Sequence, residues 1–143
     1  MLLTYRISFP FDKKEWTNQE IADFVFPEFW LSKSEYHVLD GHIEGYPSMV
    51  SWFITPIRIS VSRITVDIDK EINQINIRFH LSRMLITIFP VLIMGLGFLA
   101  ESIIAGLGIL LMLIIFPFLP TLIQIEFGKM DLKRKIKTLT NNG

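Results

Sequence analysis

The chain contains no cysteine. Disulfide frameworks, thiolate zinc centres and cysteine nucleophiles are therefore excluded, an absence compatible with a reducing, cytosolic setting. Positive charge is missing from one long stretch: the 42 residues from Met84 to Ile125 include no Lys or Arg and one formal charge, Glu101. A phosphate-cradling glycine loop, a nucleophile elbow and a His/Glu metal helix are also lacking. No catalytic residue, cofactor or metal site is assigned on this basis. The N-terminal Met-Leu-Leu is apolar for only three residues before Thr4 and Arg6, too short for the core of a secretory signal, so neither cleavage nor secretion is expected.

What is present points to lipid. Half of the 143 residues are hydrophobic and the mean hydropathy is +0.42, which fits one small folded domain joined to an apolar segment. A single helix of 42 residues would measure about 63 Å, roughly twice the hydrocarbon thickness of a bilayer. Split at Glu101, the stretch yields 17 uncharged residues (Met84 to Ala100) and 24 (Ser102 to Ile125). These lengths bracket the span of about 20 residues that crosses a bilayer. The reading is a transmembrane helical hairpin over 83–126, with helices at about 84–100 and 102–120/125. Its turn falls near 100–103, where Glu101 and Ser102 reach water at headgroup level. Gly95, Gly97, Ala100, Ala105, Gly106 and Gly108 gather near the turn, where small side chains let two helix backbones approach closely. Pro90, Pro117 and Pro120 each remove a backbone donor, so the second helix is expected to kink or end near Phe116.

Flanking charge sets the expected orientation. Lys70, Arg78 and Arg83 precede the first span, Lys129, Lys133, Arg134, Lys135 and Lys137 follow the second, and the turn has neither Lys nor Arg. The expectation is a multi-pass plasma (inner) membrane protein with both termini in the cytoplasm. In the tail, residues 127–143, Leu132, Ile136 and Leu139 share one helical face, which reads as a basic amphipathic segment on anionic inner-leaflet lipid. Arg83 and the five tail cations are its expected headgroup contacts, and nucleic acid is not an expected partner.

Residues 1–82 read as a small cytosolic α+β domain, mostly β, with five or six strands and one helix. Leu3, Tyr5, Ile7 and Phe9 alternate with polar residues as in a half-buried strand. Thr17 and Glu20 have capping-box spacing ahead of Ile21, Phe24 and Val25, and Pro27 stops that helix. Phe29 and Trp30 are assigned to the core, because so small a domain needs its aromatics inside. Asp40-Gly41 reads as a two-residue hairpin turn, pairing Leu39 with His42, Val38 with Ile43 and His37 with Glu44. His37, His42 and Glu44, with Glu35, then share an outward polar face, the one cluster resembling a metal or acid–base site. A solvated strand face is the simpler explanation, and without a third convergent element no chemistry is assigned to it. Ile57, Ile59 and Val61 shift phase to Ile64, Val66 and Ile68, as a bulged strand would. Ile75, Ile77, Phe79 and Leu81 form the last strand, and Ser82 and Arg83 alone separate it from the apolar stretch.

Three function classes fit. The first is a non-enzymatic, membrane-anchored interaction or ligand-sensing module, with an unidentified protein partner or a second copy of itself. The second is a membrane-perturbing, toxin-like effector triggered through the cytosolic domain. The third is an enzyme on a membrane substrate using the His37/His42/Glu44 face.

Overall fold

A computed structural model describes residues 3–12, 15–39, 41–48 and 56–141. Strand β1 (Thr4–Pro10) is followed by helix α1 (Asn18–Val25), a 3-10 turn (Phe26–Phe29), and strands β2 (Tyr36–Leu39) and β3 (His42–Gly45). Helix α2 (Pro56–Ser60), strands β4 (Arg63–Asp69) and β5 (Gln74–His80), and helices α3 (Ser82–Leu99) and α4 (Ile103–Asn141) complete the order.

The five strands form one antiparallel sheet in the order β1-β5-β4-β3-β2. Alternation fixes its register. Ile7 lies opposite Ile77, Ile77 opposite Val66 and Val66 opposite Ile43, so one apolar row crosses four strands. A slip of one residue would turn that entire row to solvent. The hairpin pairs His37 with Glu44, Val38 with Ile43 and Leu39 with His42, as the spacing of the sequence implies. Gly41 takes a φ of 81°, which costs a glycine little, while Asp40 lies outside the described residues.

One face of the sheet is covered. The helix α1 begins at a complete capping box: the Thr17 side chain accepts from the Glu20 N–H, and the Glu20 carboxylate accepts from the Thr17 N–H. Phe29 meets Phe79 edge to face at 5.0 Å between centroids, and Phe26 stacks on Tyr36 at 4.8 Å. Each such fully buried side chain contributes roughly 1.5–3 kcal/mol relative to exposure. Ile125 and Leu132, from the middle of α4, are buried in this same core.

Several expectations are corrected here. Trp30 is half exposed and closes the 3-10 turn with a φ of 58°, so it is not a core aromatic. Ile57, Ile59 and Val61 do not lie on a bulged strand: Pro56 to Ser60 is helical, and Val61 leads into β4. The reason is tertiary. The Ile57 N–H donates to Gln124 Oε1 at 2.8 Å, and Thr121 Oγ1 lies 2.8 Å from Ser60 Oγ, bonds from α4 that hold this segment as a helix turn.

The largest correction concerns the membrane. Among the described residues, no helix is long and apolar enough to cross a membrane. The fold is therefore a small α+β structure built on an antiparallel sheet, and the transmembrane hairpin, the multi-pass topology and the placement in the plasma membrane do not stand. Helix α3 has 18 residues, about 27 Å, and its first turn is bound to the sheet domain: Arg83 Nη1 donates to the Pro47 carbonyl at 2.6 Å. Helix α4 neither ends nor restarts near Phe116 but continues to Asn141. From Thr121 onward it packs into the sheet domain, where Thr121, Gln124, Ile125 and Leu132 are buried. The expected second span ends between 120 and 125, with the residues after Phe116 reaching the membrane interface, whereas Thr121, Gln124 and Ile125 are buried against protein.

The basic tail is corrected for the same reason. Leu132 and Ile136 do share a face, yet Leu132 is fully buried in the sheet domain's core and Ile136 packs against it. The surface opposite that amphipathic stripe is the protein's own.

Candidate functional site

Helices α3 and α4 are joined by Ala100, Glu101 and Ser102 and pack against each other. The turn closes through the Phe98 carbonyl, which accepts from the Glu101 N–H at 3.1 Å and the Ser102 N–H at 3.0 Å. Glu101 and Ser102 are exposed within this connection.

Close packing of the pair depends on two of the small residues singled out in the sequence. A Cβ on Gly106 would lie 2.8 Å from the backbone N and Cα of Leu99, and one on Gly95 would lie 2.3 Å from Leu110 Cδ2. Gly97 and Gly108 face open space, and Ala105 is exposed.

Among the described residues, the pair carries many exposed apolar side chains. Phe89, Ile93, Met94, Leu96, Leu107 and Leu111 are exposed, as are Ile104 at 86% and Met112 at 72%. Exposed large apolar side chains in such number are uncommon on a protein surface.

Three of the five tail cations pair with carboxylates of the protein. Lys129 lies 3.7 Å from Glu126, Arg134 lies 3.6 Å from Asp131, and Lys135 pairs with Glu28 beneath the 3-10 turn. Lys133 and Lys137 are exposed. Arg83 is directed at backbone carbonyls of the sheet domain, Pro47 and Arg58.

On the uncovered face of the sheet, His37 stacks on Tyr46 at 5.5 Å between ring centroids, and the Tyr46 hydroxyl donates to Glu44 Oε2 at 2.5 Å. That hydroxyl's pKa is raised by its bond to Glu44. His42 and Glu44 line a shallow groove further along the face. Glu35 is not part of it. It precedes β2 and pairs with Arg58, both side chains being nearly buried. Among the described residues, no three His, Cys, Asp or Glu side chains are placed to hold a metal ion.

Two groupings escaped sequence reasoning. Arg58 joins Glu35, the Trp30 carbonyl and the Ser48 carbonyl, uniting segments up to 28 residues apart. Arg63, Arg78 and His80 stand beside Glu44 on the open face because β4 and β5 pair there. Cross-strand neighbours of this kind leave no local spacing to detect.

No protein-family model matches the chain, and neither the curated proteins nor the solved structures include a significant match to it.

Proposed function

We propose that this protein is a non-enzymatic interaction module: a sheet domain that carries a rigidly based apolar arm, α3 with the first half of α4, through which two copies assemble. The observation that carries this reading is the exposure of Ile104, Leu107, Leu111 and Met112 on α4 together with Phe89, Ile93, Met94 and Leu96 on α3. Each large apolar side chain withdrawn from water would contribute roughly 1.5–3 kcal/mol, so the arm has a strong drive to be covered.

A second copy suits the surface for three reasons. The arm has exposed knobs, Leu96, Leu107 and Leu111, next to open notches at Gly97 and Gly108. The contact already made within the chain, leucine against glycine, uses the same chemistry. Beyond Arg83, which is bonded to the sheet domain at its base, the arm carries one charge, Glu101 at the exposed turn, so it opposes little like charge to its own copy. Two helix pairs meeting this way would make a four-helix arrangement about a twofold axis.

Sedimentation of the full chain over a range of concentrations tests this. Assembly into a defined dimer that Leu111→Glu and Met112→Glu dissolve, with the sheet domain still folded, is expected. A chain that stays monomeric at every concentration, or one that partitions onto lipid vesicles without pairing, would contradict the reading.

A further inference from the structure

The polar face of the sheet holds a groove of about 160 Å³ between β3, β4 and β5. A water occupies roughly 30 Å³ of the liquid, so this space equals several waters or one small organic molecule. Register builds it: Arg63 lies opposite His80, Thr65 opposite Arg78, and Glu44 opposite Thr65 on the other side. Two guanidinium groups and two carboxylates, those of Glu44 and Asp67, therefore share one shallow cleft with a hydroxyl and two imidazoles.

The two ion pairs in it differ. Arg78 and Asp67 are in direct contact at 2.8 Å, which closes that pair. Arg63 and Glu44 stand 3.7 Å apart, with the Arg63 side chain 42% and the Glu44 side chain 25% exposed. Arg63 also bonds the Tyr46 hydroxyl, and at that separation from Glu44 it still has N–H donors of its five for another acceptor. Glu44 accepts from Tyr46 at one oxygen, and its other faces Arg63. His80 adds no further positive charge near neutrality, since burial and then Arg63 and Arg78 lower its pKa. A lone anion entering here would meet Glu44 and Asp67, and a lone cation would meet Arg63 and Arg78.

We propose that this groove binds a free α-amino acid as its zwitterion, with the carboxylate on Arg63 and the ammonium on Glu44. The ligand enters the loose Arg63/Glu44 pair and replaces one long ion contact with two charge-assisted hydrogen bonds. Thr65 Oγ1, 3.3 Å from His80 Nε2, lies opposite Glu44 across the strands and supplies a neutral partner for the ligand carboxylate.

Equilibrium dialysis of the full chain against each common amino acid, at up to about 10 mM, the weak end of specific affinity, tests the assignment. Saturable binding of at least one amino acid is expected, with no binding of acetate or methylamine, which carry one charge each. Arg63→Gln and Glu44→Gln should each weaken it by about tenfold or more. Arg6→Gln, on the same face of β1 but outside the groove, should leave it unchanged. Failure of every amino acid to saturate would overturn the proposal, as would equal binding of acetate or methylamine, or wild-type binding by both groove variants.

Discussion

Glu35 and Arg58 meet in the interior where β2 begins and α2 runs, with 7% of the Arg58 and 9% of the Glu35 side chain exposed. Burial alone would raise the Glu35 pKa. Arg58 and the N–H groups of Ser32 and Ser48, all donating to the carboxylate, outweigh it and bring the pKa down to about 2. The Arg58 carbonyl accepts from Arg83 at 3.1 Å, so the pair also stands at the base of the apolar arm.

Removing one partner strands the other charge in the interior. Arg58→Ala should therefore cost about 3–5 kcal/mol, measured by urea unfolding. Acid offers a second check on the same pair. The folded pKa lies below the ordinary value of 4.5, so the stabilisation is complete above that value and disappears as the pH falls from 4.5 towards 2. Wild-type stability should drop through this window by roughly 3 kcal/mol more than that of Glu35→Gln.

Gly128 is where α4 crosses the 3-10 turn. A Cβ there would lie 2.5 Å from Phe29 Cε1 and 3.0 Å from the Glu28 carbonyl. Alanine in an open helix position gains up to about 1 kcal/mol over glycine. Gly128→Ala should instead lose about 1–3 kcal/mol in urea unfolding, because Phe29 is fully buried and has nowhere to move.

The capping box at Thr17 fixes the start of α1. Thr17→Ala should cost about 1 kcal/mol and shift the urea midpoint with no change in the slope of the transition.

Arg83 fastens α3 to the sheet domain through the Pro47 and Arg58 carbonyls. Arg83→Gln should leave the domain folded while amide hydrogen exchange quickens in the first turns of α3, reporting local release of the arm. Unchanged exchange there would mean that packing, and not Arg83, holds the junction.

Local patterns were legible in the sequence. The alternation of Ile7 and Phe9, the capping box at Thr17 and Glu20, and the His37/Glu44 pairing are each encoded within a few residues, and the structure follows them. Features set by distant partners were not. The segment from Pro56 reads as a strand until Thr121 and Gln124 of α4 bond to it, and Glu35 reads as an outward residue until Arg58, 23 positions later, draws it inward. Hydropathy was misleading for a related reason: it does not distinguish an apolar side chain facing lipid from one such as Ile125, buried against the chain's own sheet domain. Glu101 was legible as a turn because one charge in a long apolar stretch must reach polar surroundings, and it lies between α3 and α4.

The central claim, that the apolar arm pairs with the arm of a second copy, is tested most directly by single-cysteine cross-linking, since the native chain has no cysteine to confuse the result. Met112→Cys places a thiol on the exposed face of α4, and Glu71→Cys places one on an exposed turn of the sheet domain. On mild oxidation the account predicts a disulfide-linked dimer from Met112→Cys and none from Glu71→Cys. Failure of Met112→Cys to cross-link at any concentration, or equal cross-linking of both variants, would contradict it.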